Sequence, residues 1–141
     1  MAGKALSVLY VHCISYRDLR LYLASSERGA VRVCLRLYCG QDPKAFFAEM
    51  YSQSTIIASK TKNRRLMESV QSALKGRPTP RKPPLDITVT PFQWNAYQAI
   101  SRIPYGHTWT YGEVARAMRC PRAARAVGQA MGANPLPIIF P

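Results

Sequence analysis

Thr110-Tyr111-Gly112-Glu113-Val114-Ala115-Arg116-Ala117-Met118-Arg119-Cys120-Pro121-Arg122-Ala123-Ala124-Arg125-Ala126-Val127-Gly128-Gln129 is the stretch whose reading decides the fold. Thr110-x-x-Glu113 is a capping box, in which each side chain satisfies the other residue's backbone N–H, so a helix starts here. It is expected to run through Met118, with Val114, Ala115 and Met118 buried. Arg119-Cys120 reads as a tight turn, and Pro121 as the first residue of a second helix ending near Met131-Gly132. Two short helices joined this way resemble a helix-turn-helix. In the second, Arg122, Arg125 and Gln129 fall on one face. Ala123, Ala124, Ala126, Gly128 and Ala130 keep the rest slim enough to enter a nucleic-acid groove. The helix by itself fits equally well as an Ala-rich core helix with surface arginines.

Outward from this pair, Pro91 to Arg102 spaces Phe92, Ala96, Tyr97, Ala99, Ile100 and Ile103 as one buried helical face. Pro104-Tyr105-Gly106 stops it. On the other side, Ile138, Ile139 and Phe140 read as a short buried strand. Arg77-Pro78-Thr79-Pro80-Arg81-Lys82-Pro83-Pro84 suits neither helix nor central strand, and reads as an extended spacer between domains. The expected division is an N-terminal α/β domain over 1–76, this linker over 77–84, and the helix-turn-helix domain over 85–141.

In the first part, apolar runs at 6–14 and 19–24 precede an alternating run at 30–38. The latter places Val31, Val33, Leu35 and Leu37 inward and Arg32, Cys34, Arg36 and Tyr38 on a wet face. Ser26-Glu27-Arg28-Gly29 reads as a hairpin turn, so a small antiparallel meander is predicted. Asp42-Pro43 should cap and open a helix with Phe46, Phe47, Met50 and Tyr51 on its apolar face. Residues 52–62 are polar and read as loop. Asn63 is expected to cap a helix carrying Leu66, Met67, Val70, Ala73 and Leu74, ended by Lys75-Gly76.

The chain has 141 residues and a net charge of +13. Such charge favours anionic partners, nucleic acid foremost, or serves as a solvated surface. Its distribution is uneven: residues 1–84 hold 15 Lys/Arg and 5 Asp/Glu, and residues 85–141 hold 5 and 2. No apolar run is long enough for a membrane span, and no signal peptide is read, so an intracellular protein is expected. Cys13, Cys34, Cys39 and Cys120 are expected to be free thiols. Cys34 and Cys39 would fall on opposite faces of an unbroken strand. His12 with Cys13, Cys34 and Cys39 matches no zinc-binding spacing, so no metal is assigned.

Thr90-Pro91-Phe92-Gln93, Ile103-Pro104-Tyr105-Gly106, Thr110-Tyr111-Gly112-Glu113, Pro121 through Gly128, and Asn134-Pro135-Leu136-Pro137-Ile138-Ile139-Phe140-Pro141 together resemble the O6-alkylguanine-DNA alkyltransferases. The resemblance covers roughly the last third of the chain, and the N-terminal part agrees in outline. It implies an α+β protein: a small ribonuclease H-like sheet domain, then a mainly helical, winged-helix-like domain, C-terminally incomplete. It implies that Arg125 enters the duplex and fills the space of an extruded nucleotide. Ala123 and Ala124 would line close approach to the minor groove, with Arg122, Gly128 and Gln129 on the same DNA-binding helix. Tyr111 would press the target phosphate and donate a hydrogen bond to the flipped guanine, and Asn134 would form the hinge to the active-site strand. The partner implied is double-stranded DNA containing O6-alkylguanine, bound by a monomer without cofactor.

In that family a Cys-His-Arg follows the Pro matched by Pro141, and that Cys is the alkyl acceptor. The acceptor, its His and a later Glu are absent from residues 1–141. The 141-residue chain alone is therefore expected to be inactive as a single-turnover methylated-DNA–protein-cysteine methyltransferase. Cys120, in the expected turn, is not expected to substitute. Alternatives are a non-catalytic alkylated-DNA-binding protein, one half of a split enzyme completed by a C-terminal polypeptide, or a basic helix-turn-helix protein without lesion specificity.

Overall fold

A computed structural model describes residues 5–38, 40–78 and 81–141. Cys39, and with it the reading of a Cys34–Cys39 pair, lies outside the described residues, as do Thr79 and Pro80. The chain divides into two compact units, Met1–Thr88 and Val89–Pro141.

The first unit is a four-stranded sheet with two helices. β1 (Val8–Tyr16), β2 (Leu19–Ser25) and β3 (Ala30–Leu37) form the antiparallel meander. Gly29 ends the hairpin turn, where Ser26 N–H donates to its carbonyl at 2.8 Å. Helix α1 (Pro43–Ala48) opens as its sequence dictates, with Asp42 accepting from the N–H groups of Lys44 and Ala45.

Residues 52–62 are not all loop. Thr55–Ala58 forms β4, which pairs parallel to β1 and gives the order β3-β2-β1-β4. Four residues with β-branched Thr55, Ile56 and Ile57 suffice for an edge strand, and polar neighbours hide them from a periodicity reading.

The arginine-bearing face of β3 is covered at one end only: Arg32 and Cys34 are half-buried, Arg36 and Tyr38 are exposed as expected, and Leu37, expected inward, is exposed. The Arg32 Nε donates to the Tyr51 hydroxyl at 3.0 Å, and the Arg36 guanidinium lies 5.3 Å from the Phe46 ring centre. Leu9, Val11, Tyr22, Ala24, Val31, Phe46 and Phe47 form the core cluster between sheet and α1. Tyr22 stacks on Phe46 at 3.9 Å, and Phe47 meets both rings edge-on. The arginines cover this aromatic layer with their stems and keep their charges at its rim. Leu21, Leu23 and Val33 are also buried, so the sheet is packed on both faces.

Helix α2 (Arg64–Leu74) contacts β2 and buries Leu66, Ser69 and Val70. Asn63 occupies the N-cap position, but its side chain does not cap. Instead it is fully buried. Its amide donates to Tyr10 O (3.0 Å) and Ser59 O (2.9 Å), and its oxygen accepts from Ser25 Oγ (2.9 Å). The helix ends as expected, with Gly76 in the left-handed region at φ 64°.

The proline-rich segment is tied down at its far end. Ala30 N–H donates to Pro84 O and Asp86 N–H to Ala30 O, each at 2.8 Å. Buried Asp86 accepts from Ser26 Oγ at 2.6 Å and pairs with Arg28 at 3.3 Å. This close approach needs Gly29: a Cβ there would meet Pro84 O at 2.4 Å.

The second unit is helical: α3 (Pro91–Ile100), α4 (Tyr111–Ala117) and α5 (Ala124–Gly132). Thr90 and Gln93 form a capping box for α3, whose Ala96, Tyr97, Ala99 and Ile100 are buried. Among the described residues no helix is long and apolar enough to cross a membrane, and no group of three His, Cys, Asp or Glu is placed to hold a metal.

Candidate nucleic-acid interface

Helix α4 begins at the expected capping box. Glu113 N–H donates to Thr110 Oγ1 at 3.2 Å, and Thr110 N–H to Glu113 Oε2 at 2.6 Å. These bonds, the backbone one first, hold the Glu113 carboxyl below the usual carboxylate range. The helix ends in a Schellman motif. Cys120 N–H reaches Ala115 O and Arg119 N–H reaches Arg116 O, both at 2.9 Å, while Arg119 takes φ 60°.

Pro121 does not start the next helix. Ala123 N–H donates to Cys120 O at 2.9 Å, so Cys120 to Ala123 form a turn and α5 begins at Ala124. The fixed φ of proline suits the second position of such a turn as well as the first of a helix, and the sequence alone does not separate the two. As a result Arg122 lies in the turn, while Arg125 and Gln129 lie one helical turn apart on α5. All three side chains are exposed, and Val127 and Ala130 supply the buried face. Ala123, Ala124, Ala126 and Gly128 are half-buried, so the exposed edge of the helix is narrow.

Tyr111, the first residue of α4, is 52% exposed. It is not a core aromatic. Its ring lies over Gly128: a Cβ on residue 128 would come 3.1 Å from ring atoms Cδ2 and Cε2. Slimness at Gly128 thus has a specific use, which no spacing rule reveals. Gly128→Ala should bring about 0.5–1 kcal/mol of helix propensity, largely offset by displacement of the Tyr111 ring. A thermal midpoint within a few degrees of the parent is the expected result of a thermal melt.

Ile138, Ile139 and Phe140 are not a strand. Phe140 N–H donates back to Leu136 O at 3.0 Å, closing a turn in which Ile138 has φ 81°. Asn134 brackets it, accepting from Leu136 N–H at 3.0 Å and donating to Phe140 O at 2.8 Å. Prolines 135 and 137 lack the N–H a ladder needs, and no described strand belongs to this unit. The amide of Asn134 does what short polar side chains do in awkward turns, satisfying backbone groups that would otherwise be orphaned.

Sequence reasoning placed Tyr97 in the core without seeing its role. Its hydroxyl donates to Ala130 O at 3.0 Å, one of the last carbonyls of α5, which lack helical partners. Its ring stacks on Phe140 at 5.4 Å, and Trp94 meets Phe140 edge-on at 5.9 Å. Burial pushes the Tyr97 phenol up, so it remains a donor. Helix α5 and the Asn134 turn are thereby held by one aromatic cluster on α3.

The described cysteines lie in different settings. Cys13 and Cys34 pack against the core of the first unit, and burial raises the Cys34 thiol. Cys120 is exposed in the turn between α4 and α5.

A capped first helix, a tight turn and a slim second helix with exposed arginine define the class: a helix-turn-helix unit of the DNA-binding kind, preceded in the sequence by an α/β sheet unit. Known proteins agree. Residues 91–141 match the model of the 6-O-methylguanine DNA methyltransferase DNA-binding domain. The chain is 35% identical to the bifunctional transcriptional activator/DNA repair enzyme Ada of Escherichia coli K12, over 86% of its own length and 34% of Ada's. It is 29% identical to the inducible methylated-DNA–protein-cysteine methyltransferase of Bacillus subtilis, over 94% of its length and 74% of that protein. The crystal structure of Mycobacterium tuberculosis OGT in complex with DNA superposes with a TM-score of 0.69 at 30% identity, covering 94% of this chain and 74% of that one. The chain belongs to the O6-alkylguanine-DNA alkyltransferase (methylated-DNA–protein-cysteine methyltransferase) family.

Proposed function

We propose that this protein works in direct reversal of DNA alkylation, and that residues 1–141 supply its lesion-recognition part. Helix α5 enters the minor groove of double-stranded DNA, with Ala123 and Ala124 allowing close approach. Arg125 takes the place of the extruded nucleotide, offsetting part of the lost stacking. Arg122 and Gln129 contact the backbone and groove on either side. Tyr111, seated on Gly128, presses on the target phosphate and donates to the flipped base. Asn134 fixes the turn that follows the recognition helix. The protein acts as a monomer inside the cell, where the DNA is.

In the reaction, a cysteine thiolate attacks the alkyl carbon on guanine O6. The S–C bond forms as the C–O6 bond breaks, and a donor such as Tyr111 assists departure of guanine as a neutral base. The product is a thioether and the protein is spent. By the family resemblance, the acceptor thiol is that of the cysteine following the proline matched by Pro141.

The observation that carries this reading is the exposed Tyr111 ring seated on Gly128 of the slim α5, the helix that also presents Arg125. Its test uses the 141-residue polypeptide. Preference for a duplex bearing one O6-methylguanine over the same duplex with guanine is expected, with no labelling by a benzylated guanine. Equal affinity for both duplexes would remove the lesion assignment. Stoichiometric labelling would place the acceptor among the cysteines present.

A further inference from the structure

The basic excess of the chain is in the wrong unit for the interface just described. Fifteen of its 20 Lys/Arg lie in residues 1–84. Part of that charge converges. A groove along α2 and the segment after it is lined by Arg64, Arg65, Lys75, Arg77 and Arg81, with Glu68 its one carboxylate. Arg64 and Glu68 approach to 3.9 Å, a loose exposed pair. Among the described residues, Arg65, Lys75, Arg77 and Arg81 have no carboxylate within ion-pair distance. The Ser69 hydroxyl, on a groove-lining residue that is 1% exposed, has no hydrogen-bond partner.

Unpaired cations brought together repel one another, so the arrangement opposes folding unless an anion joins it. No aromatic side chain lines the groove, so it offers nothing on which a base could stack. Such a wall suits phosphates in series and does not read sequence.

We propose that this groove is a second, sequence-independent binding surface for the phosphate backbone of duplex DNA, separate from α5. The choice of duplex DNA among polyanions rests on the function proposed above; the groove itself does not. It would add affinity for any DNA and none for the lesion.

The experiment compares two variants of the 141-residue chain on lesion-bearing and unmodified duplexes across a salt series. One is the triple R65Q/R77Q/R81Q; all three side chains are exposed, and circular dichroism checks the fold. The other is Arg125→Ala. The triple should lower affinity for both duplexes alike, on the order of tenfold or more at low salt. It should flatten the slope of log K against log salt by about 2–3, since each neutralised phosphate contributes about 0.9. The corresponding triple lysine variant should restore the slope. An unchanged slope and affinity in a folded triple variant would overturn the proposal. Should Arg125→Ala keep the full lesion preference while the triple flattens the slope, the role given to α5 fails and the groove stands.

Discussion

Arg125→Ala is expected to lower the preference for O6-alkylguanine duplexes on the order of a hundredfold, with the thermal midpoint unchanged or slightly raised. Arg125 is exposed on α5 and has no hydrogen-bond or ionic partner among the described residues, so truncation removes no contact from the folded protein. Alanine is also the best helix former. Extruding a nucleotide costs a few kcal/mol, and an inserted side chain recovers part of it. A loss of about 2–3 kcal/mol corresponds to the stated factor at about 1.4 kcal/mol per tenfold. Fluorescence titration of a lesion-bearing duplex against its unmodified twin measures the ratio. A ratio unaltered by the substitution would exclude insertion by Arg125.

Asn63→Ala is expected to be the most damaging single substitution in the first unit, at about 3 kcal/mol or more. The side chain satisfies two backbone carbonyls and one hydroxyl in a fully buried setting. Each group left unsatisfied costs about 1–3 kcal/mol. No capping energy is involved, because the side chain does not cap α2. In a unit of this size the midpoint should fall on the order of 10 °C or more. Asn63→Asp sharpens the test. At neutral pH its carboxylate would face the Tyr10 and Ser59 carbonyls, with no donor to offer them. Protonation restores one donor, so the folded-state pKa of the new carboxyl is raised and its penalty shrinks as pH falls. Thermal melts of both variants between neutral and mildly acid pH measure this, and a variant as stable as the parent would show that the buried knot is dispensable.

The parts of the fold that were legible in the sequence are those written in local chemistry. Thr110 with Glu113, Asp42 before Pro43, and Gly76 after Lys75 each mark a helix end through bonds to their own neighbours. The parts that were not legible depend on distant partners. β4 exists because β1 offers its edge, more than forty residues back. Arg32 is half-covered because the chain after α1 later brings the Tyr51 hydroxyl to it. Asn63 stands where a cap would stand, yet its partners are Tyr10, Ser25 and Ser59. Pro121 and Ile138 show the remaining difficulty, that of local patterns with two solutions. In the candidate site, the identities of Tyr111, Arg125 and Asn134 came from family resemblance. The seat of Tyr111 on Gly128 and the hold of Tyr97 on α5 came only from the three-dimensional arrangement.

The edge-on contact of Trp94 with Phe140 turns the second unit into its own optical gauge. The protein has two tryptophans, Trp94 and Trp109. With Trp109 changed to Phe, the emission of the protein comes from one indole, and that indole touches the turn bracketed by Asn134. Loosening of that turn, whether by substitution at Asn134 or by DNA engaging α5, then registers as a change in intrinsic emission without any attached dye.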